Sequence, residues 1–384
     1  MVPIARASAK PRRTPKKHQK GGIDLTFLVL VVMLLVFGLI MMFSASYANA
    51  FYYENDSFHW ISRQLVWAVL GVGVMAVFAT WDYHVWHKIA WLSMGLTIPM
   101  LILVFFMPAV NETHRWIFIL GQQFQPSELA KFSIVLLFAH IISINHDKMH
   151  TFQYGILPFV LIILVLAGLI VAEPHLSATI LIVLLGAFMM FIGGANLKWF
   201  GLAGAGGVAL AGVAMLIPKI QERAMYRINV WRDPFIDPQV AGFQTIQSLY
   251  AIGSGGLLGA GIGNSRQKYL FLPAPQNDFV FAIVCEELGF VGAVLVILLF
   301  VLLICRGFMI AVKARDRFGT LLAAGLTAQV GIQAILNVAV VTNTIPNTGI
   351  SLPFFSYGGT ALLMLLAQMG IVLSISRQTA LEKE

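Results

Sequence analysis

The residue best placed to act as a base stands at the end of a long polar stretch in an otherwise apolar chain. Residues 218–278 are rich in arginine and close with Leu272-Pro-Ala-Pro-Gln-Asn-Asp-Phe-Val-Phe281, so Asp278 lies where apolar sequence resumes. A carboxylate at such a boundary can cap the next helix, or it can take a proton from a substrate. The residue types alone leave both roles open.

A second pair of charged residues lies inside an apolar run, in Gln125-Pro-Ser-Glu-Leu-Ala-Lys131. Glu128 and Lys131 are three residues apart, which places them on one face of a helix. A charged group in a membrane span costs at least ~2.5–3.5 kcal/mol, so it is a functional candidate. The two residues either form a buried ion pair with a purely structural role, or they are part of a phosphate-binding site at a helix N-terminus beside Arg115 and Trp116.

The polar stretch supplies further cations, which are either solvated surface charges or ligands for an anion. The candidates for anion binding are Arg223, Arg227, Arg266 and Lys268. The glycine-rich segment from Gly253 to Gly263 matches neither nucleotide-binding spacing, so we expect turns and close backbone packing there, with a backbone anion nest as the alternative. Of the neighbouring acids Glu286 and Glu287, we expect one to pair with a cation of the loop or of a helix.

Composition determines the elements that must position these groups. The chain of 384 residues is 59% hydrophobic and 11% charged, with a mean hydropathy of +0.83, which excludes a soluble protein and indicates an all-α polytopic membrane protein. Two cysteines, Cys285 and Cys305, are expected to be apolar fillers without a disulfide or metal. About ten membrane-spanning helices are predicted, at 24–47, 63–80, 88–108, 126–145, 155–172, 176–194, 198–217, 279–305, 318–342 and 353–376.

Charge sets the expected topology. The first twenty residues carry seven lysines and arginines and no acid, which places the N-terminus in the cytoplasm. An even number of spans returns the C-terminus there, so the loop at 218–278, between the seventh and eighth spans, is extracytoplasmic. The predicted organisation is a basic cytoplasmic tail (1–23), a single transmembrane domain (24–376) and a second cytoplasmic tail (377–384).

The motifs resemble those of the SEDS family (shape, elongation, division and sporulation), whose branches include FtsW, RodA and SpoVE. They run through the chain in the family's order: His114-Arg-Trp-Ile117, Gln125-Pro-Ser-Glu-Leu-Ala-Lys131, Gly253-Ser-Gly-Gly256, Asp278-Phe-Val-Phe281, Glu286-Glu-Leu-Gly-Phe290, Pro346-Asn-Thr-Gly-Ile-Ser-Leu-Pro353 and Phe355-Ser-Tyr-Gly-Gly359. Asp233-Pro-Phe-Ile-Asp-Pro238 and Ser265-Arg-Gln-Lys-Tyr269 look more like the division and sporulation branch than the elongation branch.

The resemblance implies a peptidoglycan glycosyltransferase that polymerises lipid II at the outer face of the bacterial cytoplasmic membrane, for septal synthesis in cell division. It implies a class B penicillin-binding protein and other divisome membrane proteins as partners, and no nucleic acid. Asp278 is then the expected catalytic base, while Arg115, Trp116, Glu128, Lys131 and the loop cations are expected to bind substrate. No motif requires a cofactor, and a divalent ion, Mg²⁺ or Mn²⁺, is compatible with the site.

Three positions depart from the family's pattern. Asn277 stands where Thr is usual, Pro174-His-Leu-Ser-Ala178 stands where a Pro-Asp-Leu-Gly-Thr run is usual, and Gly359-Thr-Ala361 replaces Gly-Ser-Ser. His175 therefore stands where the family has an acid, and no functional role is assigned to His175. The alternative functions are a flippase or transporter of lipid II, and a polymerase of the RodA type for elongation or of the SpoVE type for sporulation.

Overall fold

A computed structural model describes residues 21–108, 114–119 and 122–378; at a few positions within these ranges, Arg223 among them, it describes the backbone only. The regular secondary structure of this part of the chain is helical except for one antiparallel pair of strands, β1 (Ile117–Ile119) and β2 (Gln122–Phe124). The first seven helices are α1 Leu25–Glu54, α2 His59–Thr80, α3 His84–Val104, α4 Pro126–Asn145, α5 Phe152–Gly155, α6 Leu157–Ala172 and α7 Leu176–Ile192. The rest are α8 Leu197–Ala214, α9 Pro218–Arg232, α10 Phe243–Gly255, α11 Val280–Val312, α12 Arg317–Val341 and α13 Gly359–Gln378.

Ten of these helices overlap the ten predicted spans, with bounds that differ by up to seven residues, at the ends of α1 and α11. By length and composition 8 candidate membrane spans are recognised among the described residues. The two remaining predicted spans correspond to α7 and α8, with 17 and 18 residues. At 1.5 Å per residue each is about 26 Å long, which is close to the thickness of a bilayer's hydrocarbon core. The chain is a multi-pass membrane protein, and its orientation remains a prediction.

Local signals in the sequence explain where the helices begin. Asp24 caps α1 by accepting a hydrogen bond from the backbone N–H of Phe27, and Asp316 caps α12 in the same way through Gly319. Proline occupies the first turn of α4, α6 and α9, where its missing N–H costs nothing. These signals confirm the expected start of the fourth span at Pro126.

The core lies around α4, α12 and α13, which are the most buried spans. Helix α12 packs against α4, α7 and α11, and α13 lies along α2. Small residues allow the latter contact, because a side chain at Gly370 would collide with the backbone carbonyl of Met75. Helices on the periphery expose apolar side chains, such as Leu70 and Leu164, to the space that lipid would fill. The central helices therefore form a rigid frame for polar groups.

The candidate site residues gather at one end of this bundle, which we call the outer end. It is the end at which α4, α11 and α13 begin and α12 finishes, and topology predicts that it is extracytoplasmic. The connections at this end include the predicted polar loop, which contains helices α9 and α10, and the segment 342–358 between α12 and α13. The opposite end carries the ion pair of Asp24 with Arg306.

Candidate active site

Asp278 lies in the connection before α11, at the outer end. Phe279 occupies the N-cap position without a side-chain cap bond, so the alternative in which Asp278 caps the helix is wrong. The carboxylate faces Gly349, where an added Cβ would lie 3.4 Å from Oδ2. Desolvation by burial raises the pKa of Asp278 from 3.8 to about 6. No other described side chain forms an ion pair or hydrogen bond with it, so the carboxylate is free to accept a proton.

The backbone of Asp278 is fixed by α12. Asn337, fully buried, donates from Nδ2 to the carbonyl oxygen of Asp278 at 2.7 Å and to that of Ile350 at 2.6 Å. One amide therefore ties the segment before α11 to the segment 346–353. Asn337 therefore holds the backbone of the candidate base beside Gly349, the residue that the Asp278 carboxylate faces.

Glu128 and Lys131 form the predicted pair on α4. Lys131 Nζ lies 2.8 Å from Glu128 Oε1, and the lysine side chain is 3% exposed. The ammonium also donates to Gln333 Oε1 at 3.2 Å, and Gln333 in turn donates to the carbonyl and hydroxyl of Ser351 at 3.0 Å. The expected pairing is confirmed, and its third partner is an amide of α12.

Gln333 and Asn337 are site residues that the sequence interpretation missed. With Gln329 they form a row at every fourth position of α12, a helix whose other residues from Ala328 to Val341 are apolar or glycine. That spacing puts all three on one face and was a readable signal. Burying an uncharged amide costs less free energy than burying a charged group, so these amides were weaker functional candidates than the charged residues.

A small cavity opens beside this row. It is lined by Glu128, Gln329, Gln333, Ser351, Tyr357 and Gln368, among other residues. Asp278 is not among its lining residues, but Ser351, which lines the cavity, is two residues from Gly349, which the carboxylate faces. Asp278 is the candidate reacting group because its carboxylate is unpaired and has a raised pKa, and not because of its position relative to the cavity.

Arg115 and Trp116 lie just before β1, and both are half-buried. The Arg115 guanidinium donates to the backbone carbonyls of Glu173 and Pro174, which start the connection between α6 and α7. Burial raises the pKa of Glu173 to about 8, against the opposing effect of Arg115. Arg115 is thus placed near the start of α4, as predicted, with part of its donors committed to the backbone.

His175 adds a neutral group to this corner. Its Nδ1 lies 3.4 Å from the hydroxyl of Ser127 and 3.5 Å from Nε2 of Gln125, at the first turn of α4. Burial, with the positive charges of Arg115 and Lys131, lowers the pKa of His175 to about 3. The cations here therefore face an uncharged imidazole.

The loop cations fall into two groups. Arg227, on α9, and Arg266 are exposed and have no ion-pair partner among the described residues, so they remain available to an anion. Arg223 lies on α9, but its side chain is outside the described part of the chain. Lys268 is 2% exposed and pairs with Glu287 at 2.9 Å. This position favours a structural role for Lys268 over the predicted substrate contact, and it confirms that one of the two adjacent glutamates pairs with a loop cation.

The glycine-rich segment packs into a break in α11. Gly289 has a positive φ of 66° and interrupts the helix. The backbone groups freed there pair with the segment that follows α10: Ala260 and Gly261 donate to the carbonyls of Glu286 and Glu287, while Phe290 donates to Gly256. A side chain at Gly259 would collide with the Glu287 carbonyl. The expectation of turns and close backbone packing is confirmed.

The described residues contain no group of three or more His, Cys, Asp or Glu side chains that could hold a metal ion. Cys285 and Cys305 are free thiols, as expected.

Comparison with known proteins identifies the family. The model of the FtsW, RodA and SpoVE proteins, described as "Cell cycle protein", matches residues 25–381. The chain belongs to this FtsW/RodA/SpoVE family. It is 37% identical over 359 residues to "Probable peptidoglycan glycosyltransferase FtsW" of Geobacter sp. (strain M18), covering 92% of this chain and 97% of the relative. It is 39% identical over 363 residues to "Stage V sporulation protein E" of Bacillus subtilis (strain 168), covering 94% and 98%.

Solved structures of the family share the fold. A chain of a complex described as "Structural coordination of polymerization and crosslinking by a peptidoglycan synthase complex" matches with a TM-score of 0.74 and 28% identity, covering 92% of this chain and 98% of that chain. Thermus thermophilus RodA matches with a TM-score of 0.68 and 25% identity, covering 93% and 97%. The SEDS resemblance seen in the motifs is therefore confirmed for the family and the fold.

Proposed function

We propose that this protein is a peptidoglycan glycosyltransferase that polymerises lipid II into glycan strands at the outer face of the cytoplasmic membrane. The observation that carries the proposal is the unpaired Asp278 carboxylate, with a pKa raised to about 6, held beside the segment 346–353 at the outer end. Relatives that cover nearly the whole chain are named as probable glycosyltransferases of this kind, which supports the same reaction class.

The reaction needs one base and several cations. Lipid II carries its sugar on a pyrophosphate, a good leaving group that needs charge neutralisation more than protonation. Asp278 takes the proton from the acceptor sugar's 4-hydroxyl as that oxygen attacks the donor's anomeric carbon, and the bond to pyrophosphate breaks. One displacement inverts the anomeric centre. The raised pKa suits this role, because a base is most effective when its pKa lies near the working pH.

The cations of the outer end are assigned to the pyrophosphates. Lys131 is oriented by Glu128 and Gln333, and Arg115 by two backbone carbonyls. Arg227 and Arg266 are exposed and can meet a phosphate without breaking an existing pair. Arg223 and Trp116 stay in the proposal as predicted substrate contacts, on the basis of their positions in the chain.

A divalent ion, Mg²⁺ or Mn²⁺, fits this scheme only as a companion of the substrate. The described residues offer no preformed set of carboxylates, and Mg²⁺ commonly binds through one or two carboxylates together with substrate phosphates. The ion would supply positive charge at the pyrophosphate, and no step above depends on it.

The proposed partner is a class B penicillin-binding protein, with other division proteins of the membrane around it. A similar chain belongs to a peptidoglycan synthase complex that coordinates polymerization and crosslinking, which supports a crosslinking partner. Septal synthesis in division is the proposed role. The identities of 37% and 39% to relatives named FtsW and Stage V sporulation protein E support the division and sporulation branch.

The test is polymerisation of fluorescent lipid II by the purified full-length protein in detergent, with and without the cognate transpeptidase. We expect a ladder of glycan products on a denaturing gel. Detergent removes the two separate membrane leaflets, so a flippase would leave lipid II unchanged in this assay. Lipid II that stays intact under both conditions, with a protein that is folded and binds its partner, would contradict the proposal.

A further inference from the structure

The break in α11 contains two buried carboxylates whose side chains bind the loop, in addition to the backbone bonds described above. Glu286 and Glu287 are 2% and 0% exposed. Glu287 accepts from Lys268 Nζ at 2.9 Å and from the hydroxyl of Ser44, on α1, at 2.7 Å. The loop, α1 and α11 are thereby joined at one point.

Glu286 has no cation of its own among the described side chains. Its carboxylate accepts from the backbone N–H of Arg266 at 2.8 Å, from the backbone N–H of Gln267 at 3.3 Å, and from the hydroxyl of Ser265. Three donors from consecutive residues thus surround one buried anion, in the manner of an anion nest. The anion that these three donors bind is therefore a carboxylate of the protein itself and not a ligand.

These contacts fix the backbone of Arg266 while its side chain stays exposed. The segment beyond it is also anchored, since Leu272 is fully buried and its N–H donates to the carbonyl of Gln267. Asp278 lies two residues before α11 begins at Val280, and Glu286 lies about 9 Å along the helix axis from Val280 at 1.5 Å per residue. The first two turns of α11 therefore link the candidate base to the backbone that carries the exposed guanidinium of Arg266.

We propose that Glu286 is a positioning residue, whose carboxylate holds Arg266 at the distance from Asp278 that the pyrophosphate of the substrate requires. This inference rests on the proposed function. A buried acid that merely stabilised the fold would require no particular residue at 266. A positioning residue acts through Arg266, so replacing Glu286 should weaken substrate binding only while Arg266 is present.

The test compares Glu286→Gln, Arg266→Ala and the double variant, with Asn264→Ala as a control in the same exposed loop. Glutamine keeps the size of the side chain but removes the charge that strengthens the three hydrogen bonds. We expect Glu286→Gln to raise KM for lipid II about tenfold, with kcat within about twofold of the parent. In the Arg266→Ala background the same change should leave KM unaltered. Effects of the two changes that multiply would overturn the proposal.

Amide hydrogen exchange supplies an arm that does not depend on activity. The amides of Arg266 and Gln267 should exchange at least about tenfold faster in Glu286→Gln than in Asn264→Ala, because they lose a charged acceptor. Unchanged exchange would overturn the positioning role even if lipid II is polymerised. If the parent protein makes no glycan, the proposed function fails, and exchange still decides whether Glu286 holds this segment.

A milder variant covers the case in which Glu286→Gln does not fold. Ser265→Ala removes one of the three donors and leaves the carboxylate in place. The same direction of change in KM and in exchange, at a smaller size, is expected. A Ser265→Ala protein with parental KM and parental exchange would count against the proposal.

Discussion

Gln333 and Asn337 stand one turn apart on α12 and join the two polar groups of the candidate active site. Gln333 accepts a hydrogen bond from Lys131, and Asn337 donates one to the carbonyl of Asp278. Both amides also bind the segment 346–353, through Ser351 and Ile350. Because α12 is among the most buried spans, this pair sets the candidate base and the candidate phosphate-binding lysine on one frame.

Asn337→Ala should reduce both stability and activity. The change leaves the carbonyls of Asp278 and Ile350 without their donor, at a cost of about 1–3 kcal/mol for each buried group. A displaced base loses rate steeply, so the polymerisation rate should fall about 10–100-fold. Thermal unfolding and initial rates on purified protein measure the two effects. Thr342→Ala, at the exposed end of the same helix, is the control, and parental activity in Asn337→Ala would contradict the role.

Lys131 can be tested apart from its structural pairing with Glu128. Lys131→Met alone leaves a largely buried carboxylate unpaired, which should cost about 3–5 kcal/mol of stability. The double variant Glu128→Gln/Lys131→Met removes both charges and should recover most of that loss, as read by the unfolding temperature. Its activity should nevertheless stay low, because the phosphate-binding cation is gone. A double variant that regains parental polymerisation would show that the pair is structural only.

The polymerisation rate should rise with pH through about 6 and level off above it. Asp278 acts only as a carboxylate, and its pKa is raised to about 6, so the active fraction is small at pH 5 and nearly complete at pH 7. Initial rates at lipid II concentrations well below KM, which report the pKa of the free enzyme, check this between pH 5 and 8, with the unfolding temperature followed over the same range. A profile whose acidic limb lies near the ordinary pKa of aspartate, 3.8, would contradict the desolvated environment.

The close contact at the break in α11 predicts contrasting effects for two glycines. Gly259→Ala should destabilise the protein by more than about 2 kcal/mol, since φ is +79° and a Cβ would collide with the Glu287 carbonyl. Gly253→Ala is the matched control, because it lies within α10 with open space at its Cβ position and should be neutral or slightly stabilising. Thermal unfolding of the two variants side by side gives the measurement. Equal unfolding temperatures would argue against the packed segment.

The sequence predicts the helices and the charged pair well, because both signals are local. Apolar runs of bilayer length define spans, and a spacing of three residues is enough to bring Glu128 and Lys131 together. The partners of these residues could not be predicted, because they come from distant segments. In the sequence Lys268 looks like the other cations of the loop, but the fold buries it against Glu287 and Ser44. Asn337 is uncharged, so its type alone does not mark it as a site residue.

The capping alternative for Asp278 failed for a related reason. An aspartate just before an apolar helix is a common N-cap, but here the helix begins one residue later and Phe279 takes that position. The contact that Asn337 makes with the Asp278 carbonyl supports this geometry, and it joins positions 278 and 337. Local sequence carries no information on such a contact.

The most direct test of the account is polymerisation of fluorescent lipid II by Asp278→Asn in complex with the cognate transpeptidase. Asn277→Thr, a change at the exposed neighbouring position, serves as the control. Loss of a general base removes about 10²–10⁴-fold of rate, so Asp278→Asn should make almost no glycan while the protein stays folded and bound to its partner. Glycan synthesis at the parental rate by Asp278→Asn would contradict the assignment of Asp278 as the base.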